Sequence, residues 1–171
     1  MLIEHGEILH EESFQTLIVE VEKVINSRPL TVESINDSIS LIPISPMTLL
    51  THKTKVVYPL PGSFCDVDLY SRKYWRRVQH LVNEFWERWR KEYLNSLQER
   101  CKWQRELKNA IGINDVVLLK EERPRNQWSL AKITKLIPDT GLTRTVEIEL
   151  ANKSRLRRPL NKIVLLQKYS K

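Results

Sequence analysis

The stretch YSRKYWRRVQHLVNEFWERWRKEYLNSLQERCKWQRELK, Tyr70 to Lys108, decides how the rest of the chain is read. Trp75, Val78, Val82, Phe85, Trp89, Tyr93, Leu97 and Cys101 recur at steps of three and four, the period of one helix face. Neither Gly nor Pro interrupts the run, so the spacing predicts one helix over Ser71–Lys108, roughly 50 Å long. A helix of that length reads as a spacer with a covered apolar stripe and a second side facing solvent or a partner. The second side is basic, with eleven Lys and Arg against five Glu. Arg72, Lys73, Arg76 and Arg77 crowd its N-terminus, where the helix dipole disfavours cations. Pairs such as Glu84–Arg88 and Glu87–Lys91 make a solvated face the plainer reading of the lower half. Phosphate contact is the sharper reading of the N-terminal four.

Downstream, Gly112 is placed as a left-handed cap, and the pattern changes to short strands. Val116–Lys120 and Trp128–Leu136 flank a polar loop containing Pro124. Pro138-Asp139-Thr140-Gly141 reads as a hairpin turn of type I/G1-bulge character. Thr143–Leu150 alternates, with Val146, Ile148 and Leu150 inward and Thr145, Glu147 and Glu149 outward. Asn152-Lys153 turns the chain into Ser154–Arg158, and Ile163–Leu166 closes the set. Five short strands in about 55 residues predict a small barrel, because closure hides strand edges. Its cations form two groups: Lys120, Arg123, Arg125, Lys132, Lys135 and Arg144, then Lys153, Arg155, Arg157, Arg158 and Lys162. Such a surface suits backbone phosphates, with little sequence preference and strong salt dependence. A merely soluble basic barrel is the other reading. Trp128 reads as core or rim packing before a base-stacking platform.

Upstream, Glu11-Glu12-Ser13 opens a helix with Phe14, Leu17, Ile18, Val21, Val24 and Ile25 on one face. Pro29 ends it. Val32–Pro61 reads as loop, except that Ser45 caps a short helix with Pro46 at its first position. Pro59-Leu60-Pro61-Gly62 marks a boundary. The chain divides into segments 1–62, 63–112 and 113–171.

Charge divides it too. Residues 1–70 carry −6 and residues 71–171 carry +13, for a total of +7. The second part attracts polyanions and the first does not. Cys65 and Cys101 lack metal or disulfide spacing, which favours a reducing interior, nuclear or cytoplasmic. His5 and His10 have no CxxC to complete a zinc site. No apolar run is long enough to cross a bilayer. No phosphate-cradling loop and no positioned nucleophile is visible, and Glu20 and Glu22 point to different sides of a helix. No catalytic residue, cofactor, metal or small-molecule substrate is therefore expected.

The order of VEKVINSRPLT, PISPMTLL, RRVQHLVNEFWERWRKEYLNSLQERCKW and RLRRPLNKIVLL resembles the C-terminal part of integrases of Bel/Pao-type LTR retrotransposons. The likeness runs from about Phe14 to Leu166. It is most specific at Asn26–Thr31, in the FWxRWxxEYLxxLQ pattern of Phe85–Gln98, and at Arg158-Pro159. It implies an α+β fold: the last helices of an RNase H-like core, a Trp-rich linker helix and an SH3-like DNA-binding barrel. The family's Asp, Asp and Glu, which hold two divalent metals for strand transfer, have no match here. A family Gly after the short helix is replaced by Thr51-His52. The expectation is a non-catalytic fragment that binds duplex DNA through Arg72, Lys73, Arg76, Arg77, Lys120, Arg123, Arg125, Lys132, Arg155, Arg157, Arg158 and Lys162. An upstream integrase core or a second copy is the expected protein partner. A protein-interaction module with a chromatin-reader-like barrel is the alternative, supported only by Trp128 and Tyr169 as cage aromatics.

Overall fold

The computed structural model describes residues 9–33, 41–53, 62–98, 111–139 and 142–169. The fold is α+β: three helices, a two-stranded ladder and a five-stranded antiparallel sheet. Helix α1 spans Glu11–Asn26 and ends at Ser27, two residues short of Pro29. Strands β1 (Thr31–Val32) and β2 (Pro43–Ile44) pair antiparallel inside the stretch expected to be loop. Two-residue strands carry no periodic signal, which is why the sequence hides them. Helix α2, Pro46–Thr51, is capped as expected: the Ser45 hydroxyl accepts from the Thr48 N–H at 3.2 Å. His52, at the substituted Gly position, adopts a left-handed φ of 55°.

Helix α3 runs Tyr74–Ser96. It begins three residues later than expected and already ends at the Leu97 cap, so the helix is shorter than the stripe predicted; the rest of the expected run, residues 99–108 with Cys101, lies outside the described residues. A 3-10 turn, Asp66–Tyr70, leads into it. Far from standing alone as a spacer, α3 is buried on two sides. Leu17 and Val24 of α1 pack with its Val78, Leu81, Val82 and Trp86. Leu94 instead joins a cluster of Val32, Leu41, Val116, Leu118, Leu130 and Val164, which unites the N-terminal segment with the sheet. The one-face stripe thus missed Leu81, Trp86 and Leu94, while Trp75 on that stripe is 43% exposed.

The sheet is built from β3 (Val116–Leu119), β4 (Leu130–Asp139), β5 (Leu142–Leu150), β6 (Arg155–Pro159) and β7 (Ile163–Gln167), in the order β6-β5-β4-β3-β7. Val146 and Ile148 are fully buried, as the alternation requires. Strands β6 and β7 are the two edges, yet only the 3-10 turn Leu160–Lys162 separates them in sequence. In a flat sheet the edges would lie about 19 Å apart at ~4.8 Å per strand. Three 3-10 residues rise only about 6 Å. The sheet must roll to bring its edges together. Arg158 on β6 accordingly reaches the Glu121 carboxylate just beyond β3 at 3.0 Å, and the Lys120 N–H donates to the Lys162 carbonyl at 2.9 Å.

Two details differ from expectation. Gly112 does not adopt the left-handed region; its N–H donates to the buried Asp115 carboxylate at 2.7 Å, which also accepts from the Tyr169 N–H at 2.8 Å. Pro138 lies within β4, opposite Thr143 beyond a register shift. The short β3 pairs only as far as Lys132, so at Pro138 no ladder bond is lost on that side.

Candidate nucleic-acid interface

The cations expected to meet phosphate fall into three physical situations. In the first they are locked. Arg125 is 3% exposed in its side chain; it donates to the Gln79 amide oxygen at 2.6 Å and stands 3.5 Å from the Glu20 carboxylate. Burial depresses its pKa, and Glu20 opposes the shift. No phosphate reaches this guanidinium, so Arg125 leaves the candidate set: it joins α1, α3 and the β3–β4 loop. Glu20 is satisfied twice over, since its other oxygen takes Lys23 at 2.7 Å. Arg76 is also held. It grips Asp68 through Nε at 2.6 Å and a second nitrogen at 3.1 Å, donates to the Ser63 carbonyl and lies 5.4 Å over the Phe64 ring. Arg76 depresses the Asp68 carboxyl, and Asp68 raises the guanidinium in return. This clamp fixes the entry to α3, where Asp68 also accepts from the Cys65 N–H.

In the second situation the cations line the rolled sheet's rim. The Glu121 carboxylate takes Arg158 at 3.0 Å and Arg123 at 3.1 Å, while its backbone carbonyl takes Arg90 of α3. Burial pushes the Glu121 carboxyl up, but Arg158 and Arg123 outweigh it and the net shift is downward. Lys120 donates to the Gln98 amide oxygen at 2.9 Å.

The third situation is the outer face of β4, β5 and β6. The register places Lys135, Glu147 and Arg157 in one row across the three strands, and Lys132, Glu149 and Arg155 in the next. Each row sets two cations about one carboxylate. Arg155 meets Glu149 at 3.3 Å and Arg157 meets Glu147 at 4.0 Å; the arginine side chains are 65% and 75% exposed, the glutamates 15% and 23%. Lys162 beyond β6 and Arg144 on β5 are exposed as well. Residues 111–139 and 142–169 together hold twelve cations against six acids. At the entry to α3 Arg72 and Lys73 are exposed, and Arg77 is half-buried.

Sequence reasoning missed the two glutamates that organise these rows, although a signal existed. Counting outward from a three-residue turn, Ala151–Lys153, sets Glu149 against Arg155 and Glu147 against Arg157. The reading of Trp128 as a packing residue holds in the structure. Trp86, Tyr93 and Trp89 surround it at ring distances of 5.0, 5.5 and 6.0 Å, all edge-to-face. Trp86 donates its indole N–H to the Arg123 carbonyl at 3.1 Å, and the Tyr93 hydroxyl donates to the Pro29 carbonyl at 2.7 Å. This aromatic cluster ties α3 to both neighbours. Burial raises the Tyr93 pKa.

Among the described residues, no group of three or more His, Cys, Asp or Glu is placed to share a metal ion. No described helix is long and apolar enough to cross a membrane. No curated protein and no solved structure matches the chain. Residues 73–166, which span all of α3 and all of the sheet but the last residue of β7, match a family of unknown function, DUF5641, and the chain belongs to that family.

Proposed function

We propose that this chain is a non-catalytic, DNA-binding C-terminal fragment of a retrotransposon integrase of the Bel/Pao type, holding duplex DNA through its backbone phosphates. The observation that carries the reading is the pair of rows on the outer sheet face. A carboxylate beside each arginine would seem to cancel it. The arginine of each pair is largely exposed, however, so the pairing is worth only about 0–1 kcal/mol, and each row sets two cations against one carboxylate. A phosphate that displaces Glu147 or Glu149 therefore meets two cations already held at the surface by strand geometry. Such contacts position a duplex without reading its bases. Arg72, Lys73 and Lys162 add exposed charge. The resemblance to integrase linker helices and terminal barrels supports the same reading, and a nuclear or cytoplasmic setting goes with it.

The test is binding of random-sequence duplex across a salt series, with the wild-type chain and with Arg155, Arg157 and Arg158 replaced together by Ala. We expect log K to fall linearly with log salt in the wild type, and the triple variant to bind more weakly with a shallower slope, equally for all sequences. Binding without a salt slope, or none at low salt, would contradict the reading.

A protein-interaction or self-association role rests on a separate observation. Phe14, Ile18 and Val19 on α1 and Leu49 and Leu50 on α2 are between 45% and 73% exposed. The chromatin-reader form of this alternative loses support, because Trp128 is enclosed by aromatic neighbours instead of lining an open cage. Light scattering coupled to size exclusion measures self-association directly.

A further inference from the structure

A cleft of about 420 Å³ lies where α1, α2, the β3–β4 loop and the β5–β6 turn converge. Its volume falls within the roughly 300–1,000 Å³ typical of small-ligand sites. Among the described residues its lining contains no Asp or Glu; it includes Lys53, Arg123 and Lys23, the last paired with Glu20 at 2.7 Å. Asn126 and Gln127 stand beside them, and Leu130 and the Trp128 ring supply apolar wall. Lys53 is exposed, and the Arg123 side chain is 46% exposed even while paired with Glu121. An anion at the mouth is thus favoured over a cation. Amide side chains both donate and accept, which matches the mixed edge of a nucleobase. An apolar wall suits a flat ring.

We infer that this cleft binds a nucleotide, with the base against Gln127 and the apolar wall and the phosphate at Lys53 and Arg123. The inference rests on the nucleic-acid reading above for its choice of ligand, and it adds a site for an unpaired nucleotide apart from the duplex-binding sheet face. An acidic peptide would use the cations but would leave the Gln127 amide and the apolar wall without a purpose.

The full chain is titrated with a thymidine tetranucleotide, free thymidine monophosphate, inorganic phosphate, a glutamate tetrapeptide and a blunt duplex, while the Trp128 indole N–H resonance is followed (assigned with Trp128→Phe). Ala151, an exposed turn residue lining the cleft, is changed to Phe to block it and to Ser as the control. The tetranucleotide should move the Trp128 resonance, and A151F should weaken its affinity by about tenfold while A151S leaves it unchanged. Blunt-duplex affinity should be the same in all three proteins. Tighter binding of the tetranucleotide than of the monophosphate assigns the site to a strand, and equal binding assigns it to a free nucleotide. A tetranucleotide that leaves Trp128 unmoved or binds A151F as well as wild type overturns the inference, as does an equal response to phosphate or to the peptide. Duplex binding retained in that event keeps the sheet reading intact. Loss of duplex binding alone refutes the sheet reading and leaves the cleft standing.

Discussion

Arg125 and Arg157 each face a glutamate, one inside the junction of α1, α3 and the β3–β4 loop, the other on the outer face of the sheet. Arg125 is 3% exposed and Arg157 is 75% exposed in the side chain. Inside the junction the Arg125 guanidinium has lost its water, and the Glu20 carboxylate and the Gln79 bond offset that loss. On the sheet, water screens the pair and competes for it at every moment. Identical chemistry therefore gives a structural rivet in one place and an exchangeable contact in the other. Burial decides which.

The largest effect should come from breaking the rivet. Arg125→Ala strips the Gln79 amide oxygen of its partner, leaves Glu20 with Lys23 alone and should cost about 3 kcal/mol. For a chain of this size that lowers Tm by roughly 10 °C in thermal unfolding. Adding Glu20→Gln should recover part of the loss, because the two changes share one interaction. Trp86→Ala should cost a comparable ~3–5 kcal/mol, since Trp86 is only 3% exposed and anchors the aromatic cluster. Replacing Arg155 and Arg157 together by Ala should do the opposite: stability stays within about 0.5 kcal/mol while duplex affinity falls. The log K against log salt slope should drop by about two. An unfolding shift as large as that of Arg125→Ala would erase the distinction between the two regions.

The smallest effect concerns pH. Arg76 holds the Asp68 carboxyl below its ordinary range, and Arg158 and Arg123 outweigh burial to do the same to Glu121. A depressed carboxylate stabilises the fold above its unfolded pKa, and that stability is lost as pH falls through the folded value. Stability should accordingly be flat from pH 5 to 8 and fall below about pH 4. Thermal unfolding against pH should show a smaller acid loss in Asp68→Asn than in the wild type.

The sheet was nearly all legible in the sequence. The alternation of Val146 and Ile148 and the turn at Asn152-Lys153 are local features, and local features fix strands to within a few residues. Cap chemistry at Ser45 and the stop before Pro29 were legible for the same reason. What lay hidden was packing between distant segments. Gln79 and Arg90 carry no apolar signal, yet they are 1% and 8% exposed, because α3 is covered on two sides. The site was half legible. Composition located the cations, but only the third dimension separates Arg125 from Arg157, and only strand register reveals Glu147 and Glu149 between their cations.

The most direct measurement removes those two carboxylates. Glu147→Gln with Glu149→Gln is compared with Glu84→Gln and Glu87→Gln, an equal charge change on the exposed face of α3. Duplex affinity is measured for both at one salt concentration. If phosphates displace the sheet glutamates, the first pair should tighten binding by about tenfold more than the second. Equal tightening, or weaker binding by the sheet variant, would contradict the exchange.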